Sequence, residues 1–158
     1  MSVEFCSGDI FATPEDVALA HGCNCAGAMG KGIAVEFKRR WPAMYKLYKA
    51  RCQDETFGLG DVFPWPDPAS PRIIYNLGTQ RSWRTKATLA AVEAAITNLL
   101  AAAAEHQSTQ IALPLIGVGL GGLPAAEVKL LLQRAANDSP IQLIVCETFE
   151  SGKTPTCL

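Results

Sequence analysis

Residues 20–40, AHGCNCAGAMGKGIAVEFKRR, bring two cysteines, a histidine, an asparagine, several glycines and a basic end into one stretch. Each of these residue types suggests a different chemistry. Cys23-x-Cys25 beside His21 resembles the start of a zinc site, but no second cysteine pair or spaced histidine pair follows, so no metal is expected. A cysteine nucleophile needs a base, and the two histidines, His21 and His106, offer only a segment neighbour and a helix end. Nor is the Gly-Lys-Gly at 30–32 a P-loop: Cys25 stands where its first glycine belongs, and Gly32 where its Ser or Thr belongs. What remains is a strand end, a polar Asn24, and a loop with Gly27, Gly30 and Gly32 that opens a helix and suits an anion.

Residues 117–122, GVGLGG, match G-x-G-x-x-G after an apolar run and ahead of a helical pattern. A dinucleotide-binding unit needs two further strand–helix units behind it. Only one strand follows here, and the acid about twenty residues on, Asp138, lies in the turn NDSP. A glycine loop opening onto a helix still presents backbone N–H groups to phosphate. Asp9 follows a strand at Gly8, where one carboxylate can accept from an amino group. Lys38, Arg39 and Arg40, with Lys46, Lys49 and Arg51, form a basic helical pair that is either a solvated face or a grip on nucleic acid. Arg81, Trp83, Arg84 and Lys86 interleave cations with an aromatic ring, a pattern able to stack on a base.

The elements that must position these residues follow from periodicity. Strands are expected over Val3–Cys6, Val17–His21, the LGDVFPW stretch, Arg72–Leu77, Gln110–Ile116 and Ile141–Cys146. Helices are expected over Lys31–Arg40, from Pro42 through Cys52, from Thr85 to His106, and over Pro124–Ala136. The third carries an apolar stripe of Leu89, Val92, Ile96, Leu99 and Leu100. Strand–helix alternation from about residue 70 onward implies an α/β fold with a mostly parallel sheet and helices on both faces. In such sheets ligands sit beyond the carboxyl ends of the strands, where Asp9, the 20–40 stretch and the 117–122 loop all fall.

With 158 residues, 49% hydrophobic and 18% charged, the chain has the makings of one globular domain, taken as residues 1–150 with a frayed or arm-like tail at 151–158. A net charge of −1 supplies no global field for nucleic acid, so any such role rests on local patches. Six cysteines invite a disulfide reading, but a chain this long and apolar has little need of staples, and thiols are expected. The N-terminus shows no signal-peptide pattern and no apolar run is long enough to span a bilayer. A cytoplasmic protein, monomeric and without membrane contact, is therefore expected.

In order along the chain, GDIF, HGCNCAGAMGKGIAVEFKRR, IIYNLGTQRSW and LPLIGVGLGGL resemble a macrodomain, the three-layer α/β/α module with a mixed, mostly parallel sheet that binds ADP-ribose. The M-G-x-G-I-A and T-x-R-x-W segments are most similar to the branch of terminal ADP-ribose–protein glycohydrolases and antitoxins that remove ADP-ribose from thymidine in DNA. The resemblance implies ADP-ribose as ligand or substrate, with no cofactor and no metal. Asp9 and Ile10 would hold the adenine. Asn24, Gly30, Lys31, Gly32, Ile33 and Ala34 would contact the distal ribose, with Thr79, Gln80 and Arg81 bordering it. Gly117, Val118, Gly119, Leu120, Gly121 and Gly122 would wrap the pyrophosphate, and Met29 and Ile116 would be further ligand contacts.

The resemblance also exposes a departure. Hydrolases of this branch carry a catalytic lysine where this chain has Gln80, and the glycohydrolase carries an aspartate where this chain has Gly121. A glutamine forms no Schiff base and supplies no cationic acid. Asn24 and Gln80 are then the catalytic candidates. Three activities are implied: hydrolysis of an ADP-ribosyl linkage on protein or nucleic acid, ADP-ribose reading without turnover, and dephosphorylation of ADP-ribose 1″-phosphate. Lys38, Arg39, Arg40 and Arg84 are the candidate nucleic-acid contacts.

Overall fold

The computed structural model describes residues 3–157. Its strands are β1 (Val3–Gly8), β2 (Ala18–Asn24), β3 (Val62–Pro66), β4 (Ile73–Gln80), β5 (Gln110–Pro114), β6 (Gln142–Phe149) and β7 (Thr156–Cys157). The helices are α1 (Ile33–Arg40), α2 (Pro42–Gln53), α3 (Leu89–Glu105) and α4 (Ala125–Ala136), with short 3-10 turns at Ile10–Ala12 and Gly119–Gly121. The sheet order is β3-β4-β2-β5-β6-β1-β7. The inner strands β4, β2, β5, β6 and β1 are parallel, while β3 and β7 close the edges antiparallel. The result is the mixed, mostly parallel sheet expected.

Strand alternation divides the core in two. In β2 and β5, Ala18, Ala20, Ile111 and Leu113 face α3 and α4, while Leu19, Cys23 and Ala112 face α1 and α2. Burying alternate residues on each face fixes the register, because a one-residue slip would exchange the two cores. α3 carries the predicted stripe inward through Val92, Ile96 and Leu99, all fully buried.

The boundaries move for local reasons. α3 begins at Leu89 rather than Thr85, because Thr88 caps it by accepting from the Ala91 N–H at 3.1 Å. Residues 82–87 are instead held in a turn, with Ser82 N–H donating to Thr85 Oγ1 at 3.1 Å. β5 stops at Pro114, which has no N–H to continue a ladder. β6 runs on to Phe149 because Thr148 and Phe149 find Ser7 and Gly8 across β1.

The tail and the cysteines correct the sequence reading. The stretch 151–157 is not frayed: Thr156 and Cys157 pair with Ser7 and Cys6, and the Asp9 N–H donates to Lys153 O at 2.8 Å. Cys6 and Cys157 are joined in a disulfide, which the sequence hides because its partners lie 151 residues apart and meet only through the edge strand. Cys23, Cys25, Cys52 and Cys146 are free thiols. No helix among the described residues is long and apolar enough to cross a membrane.

One buried cation braces the connection into β2. Arg72, just ahead of β4, donates through Nη1 to Thr13 Oγ1 (2.9 Å) and Val17 O (2.8 Å), and through Nη2 to Thr13 O (3.0 Å). Arg72→Met fills similar space but leaves those acceptors without donors. It is expected to cost about 2–4 kcal/mol in urea denaturation, and Arg72→Lys, lacking the planar fork, should recover only part of that.

Candidate functional site

A cleft of two lobes opens along the carboxyl ends of the parallel strands. One lobe, of about 640 Å³, is lined by Asp9, Phe11, Glu36, Arg40, Cys146, Glu147, Phe149 and Ser151 among others. The second, of about 720 Å³, is lined by Gly22, Cys23, Asn24, Ala28, Gly30, Lys31, Ala34, Thr79, Gln80, Trp83, Ile116, Gly117, Leu120 and Gly121. Gly32, Ile33, Pro114, Leu115 and Val118 line both, so the lobes meet at a shared waist.

The waist is built from backbone. α1 starts after Gly32, which adopts φ 63° and ψ −150° and provides no side-chain cap. The first N–H groups of α1 therefore have no side-chain acceptor from the cap residue, and Gly32, Ile33 and Ala34 at this helix start line the cleft. Opposite stands the 117–122 loop, where Gly117 sits at φ 78° against Leu123 and Val92. Leu120 reaches back across the cleft, its Cδ1 3.2 Å from where a Gly32 Cβ would lie. Any side chain at Gly32 would be strained by its φ and would push on Leu120. The arrangement suits an extended anion passing between the loops.

Asn24 and Gln80 are register partners at the ends of β2 and β4. Asn24 Oδ1 accepts from the N–H groups of Ala26 (3.0 Å) and Ala28 (3.3 Å), and its Nδ2 donates to Ala28 O at 2.8 Å. The Tyr48 hydroxyl shares its proton between Asn24 O at 2.7 Å and Asn24 Oδ1 at 3.0 Å. Asn24 thus shapes its own loop and retains one N–H. Gln80 Nε2 donates to Ser82 O (2.9 Å) and Thr85 O (3.1 Å). Its Oε1 lies beside Gly121, 3.6 Å from where a Cβ there would be. An aspartate at Gly121 would also meet Ala87 Cβ, 3.1 Å from the same point.

In the first lobe, both Asp9 oxygens accept from backbone: Oδ1 from Phe11 N–H and Oδ2 from Gly152 N–H, each at 2.9 Å. The carboxylate is locked in place with lone pairs to spare, in a lobe that Phe11 and the 65% exposed Phe149 make suitable for a flat ring. Sequence reading passed over Phe149 because it ended β6 at Cys146. The apolar residue immediately before the acid that closes CETFE was the available signal.

Of the residues singled out from sequence, Asp9, Asn24, Gly30, Lys31, Gly32, Ile33, Ala34, Thr79, Gln80, Ile116, Gly117, Val118, Gly119, Leu120 and Gly121 line the cleft. Ile10 and Met29 are buried in the core behind it. Arg81 and Gly122 are exposed outside its lining. The basic residues of α1 have partners of their own: Arg39 and Arg40 pair with Glu36, Arg40 on the wall of the first lobe, and Lys38 lies over the Tyr45 ring at 4.5 Å.

His21 and Cys23 lie beneath the second lobe. His21 stacks on Phe37 with ring centroids 3.7 Å apart and its Nε2 lies 2.7 Å from Asn76 Oδ1. Burial lowers the imidazole pKa to about 4, the Asn76 bond opposing only in part. Burial raises the Cys23 thiol well above its ordinary range, so the pair is a neutral packing unit and is not poised to form a thiolate.

Comparison with known proteins agrees with this architecture. The Macro domain family model matches residues 20–132. A curated relative named DNA ADP-ribosyl glycohydrolase from Thermus aquaticus is 36% identical over 154 residues, covering 96% of this chain and 42% of its own length. One of the same name from Mycobacterium tuberculosis is 34% identical, covering 87% of this chain and 40% of its own. The chain thus spans about two fifths of these relatives. Among solved structures, the macrodomain of Mycobacterium tuberculosis DarG superposes with a TM-score of 0.85 at 31% identity, over 91% of this chain and 96% of that one. The macrodomain of Thermus aquaticus DarG gives 0.84 at 34%, over 92% and 97%.

The buried imidazole sets a pH dependence. A folded pKa of about 4 against an ordinary 6.5 means that the unfolded chain binds the proton first. Its stabilising contribution is complete above the unfolded value and is lost as pH falls from 6.5 through 4, by about 3 kcal/mol in total. Denaturation midpoints measured across that window should fall less steeply in His21→Gln, which keeps a donor for Asn76.

Proposed function

The chain belongs to the macrodomain family, and on that premise we propose that it binds ADP-ribose in the two-lobed cleft and hydrolyses an ADP-ribosyl linkage on a protein or nucleic acid. The waist carries this reading: an uncapped helix start facing a glycine loop, with a lobe on either side. The diphosphate lies at the waist on backbone N–H groups. The adenosine enters the lobe of Asp9, Phe11 and Phe149, with a free lone pair of Asp9 accepting from the adenine amine. The distal ribose enters the lobe of Asn24 and Gln80.

In this reading water adds at the anomeric carbon of the distal ribose as the bond to the target breaks. The departing group takes a proton and ADP-ribose leaves with a new hydroxyl. Gln80 cannot form an adduct with the opened sugar, and its amide N–H groups are held by the 82–85 turn. Its part is to position, through the oxygen that faces Gly121. Lys31 is the one cationic side chain among the residues described as lining this lobe. The relatives named DNA ADP-ribosyl glycohydrolase support hydrolysis as the activity. The cytoplasm is the proposed compartment. The four free thiols suit reducing conditions, under which the Cys6–Cys157 bridge would open.

A second reading, binding without turnover, is favoured by one observation: no side chain at position 80 can act as a cationic acid. The fungal relatives named ADP-ribose 1″-phosphate phosphatase match only a short segment, one of them 52% identical over 46 residues. A turnover panel separates the readings, using ADP-ribosylated thymidine oligonucleotide, ADP-ribosylated glutamate, arginine and serine peptides, and the 1″-phosphate. Release of ADP-ribose from at least one adduct is expected, with Gln80→Lys raising the rate on the order of a hundredfold. ADP-ribose binding with no release from any adduct would establish the reader instead, and phosphate release alone the phosphatase.

A further inference from the structure

The mouth of the second lobe carries an aromatic side chain that the reading above does not use. Trp83 lines that lobe and is 59% exposed. The Arg84 guanidinium lies 4.6 Å from its ring centroid, which braces one side and leaves much of the ring open. The turn that presents the ring is tied down on both sides: Gln80 Nε2 donates to Ser82 O and Thr85 O, and the Ala87 N–H donates to Gly121 O at 3.0 Å. A large ring held in the open beside a cleft is a binding surface.

Charge along the cleft points the same way. The segments that frame the second lobe, residues 24–35, 78–88 and 114–124, contain Lys31, Arg81, Arg84 and Lys86 and no aspartate or glutamate. None of these four cations pairs with a carboxylate of the described residues. The first lobe is the opposite: Asp9, Glu36 and Glu147 line it, and its Arg40 is already paired with Glu36. The end of the cleft where the target must sit is therefore cationic and aromatic.

Resting on the proposed ADP-ribosyl hydrolase reading, we propose that Trp83, braced by Arg84, is the leaving-group platform: it stacks on a nucleobase joined to the distal ribose while Arg81, Arg84 and Lys86 take the phosphates flanking that nucleotide. An unstacked base fits such a platform, whereas a base inside a duplex has both faces covered. An ADP-ribosylated peptide side chain brings neither a base nor flanking phosphates, so it gains nothing from the platform.

The test is displacement of a fluorescent ADP-ribose, read by rapid mixing before turnover. The competitors are free ADP-ribose, an ADP-ribosylated single-stranded oligonucleotide and an ADP-ribosylated glutamate peptide. The unmodified protein should prefer the oligonucleotide adduct over free ADP-ribose. Trp83→Ala should cut that preference about tenfold or more, with Trp83→Phe restoring most of it. The Arg84→Gln/Lys86→Gln pair should flatten the salt dependence of the oligonucleotide arm by roughly 1.4 in log–log slope. If free ADP-ribose fails to displace the probe from the unmodified protein, the functional reading falls and this proposal with it. If ADP-ribose binds but the preference ignores Trp83→Ala, or the peptide adduct shows the same dependence on Trp83, this proposal alone is overturned.

Discussion

The loop between β2 and α1 is folded around one carboxamide, and the cleft depends on its shape. Asn24 gathers the N–H groups of Ala26 and Ala28 and the carbonyl of Ala28. Tyr48, from the helix packed behind, fastens both the carboxamide and the backbone of Asn24. Burial pushes the Tyr48 hydroxyl far above its ordinary range, so it remains a donor at any working pH. The Cys25 N–H ties the same loop to Gln80 O at 2.9 Å, which joins the two strand ends that frame the second lobe. With the loop held this way, the chain reaches Gly32 at φ 63°, where α1 starts without a side-chain cap on the lining of the cleft.

That construction gives the cleft a division of labour. The waist offers backbone groups and no formal charge, so an anion held there is recognised by geometry and helix polarity rather than by ion pairing. The formal charges lie at the two ends, carboxylates at one and unpaired cations at the other. The cationic end also holds Gln80, a neutral amide that can form no covalent adduct with a sugar.

Much of this was legible in the sequence, and the parts that were not share a physical cause. Strand–helix alternation and the glycine loops declared the sheet and the edge at which the cleft opens, because period and backbone freedom are local properties. The α3 stripe of Val92, Ile96 and Leu99 was readable for the same reason. Two features depend on contacts between distant parts of the chain and left no local trace. Cys6 meets Cys157 only because the tail returns as an edge strand. Phe149 reaches the first lobe only because β6 follows β1 past the expected end. The pairing of Arg39 and Arg40 with Glu36 is by contrast local, at the helical spacings of three and four residues. Asn24 was found by type and position, but its main work in the structure is on its own loop.

The proposed site takes an extended diphosphate with a sugar at each end across two lobes joined by a backbone waist. Calorimetric titration compares it most directly against its parts: ADP-ribose, ADP and AMP, each with the unmodified protein and with Gly32→Ala. Sub-millimolar binding of ADP-ribose at one site is expected, with progressive weakening to ADP and AMP and loss of most of that affinity in Gly32→Ala. Absence of heat with ADP-ribose at those concentrations, or AMP binding as tightly as ADP-ribose, would contradict it.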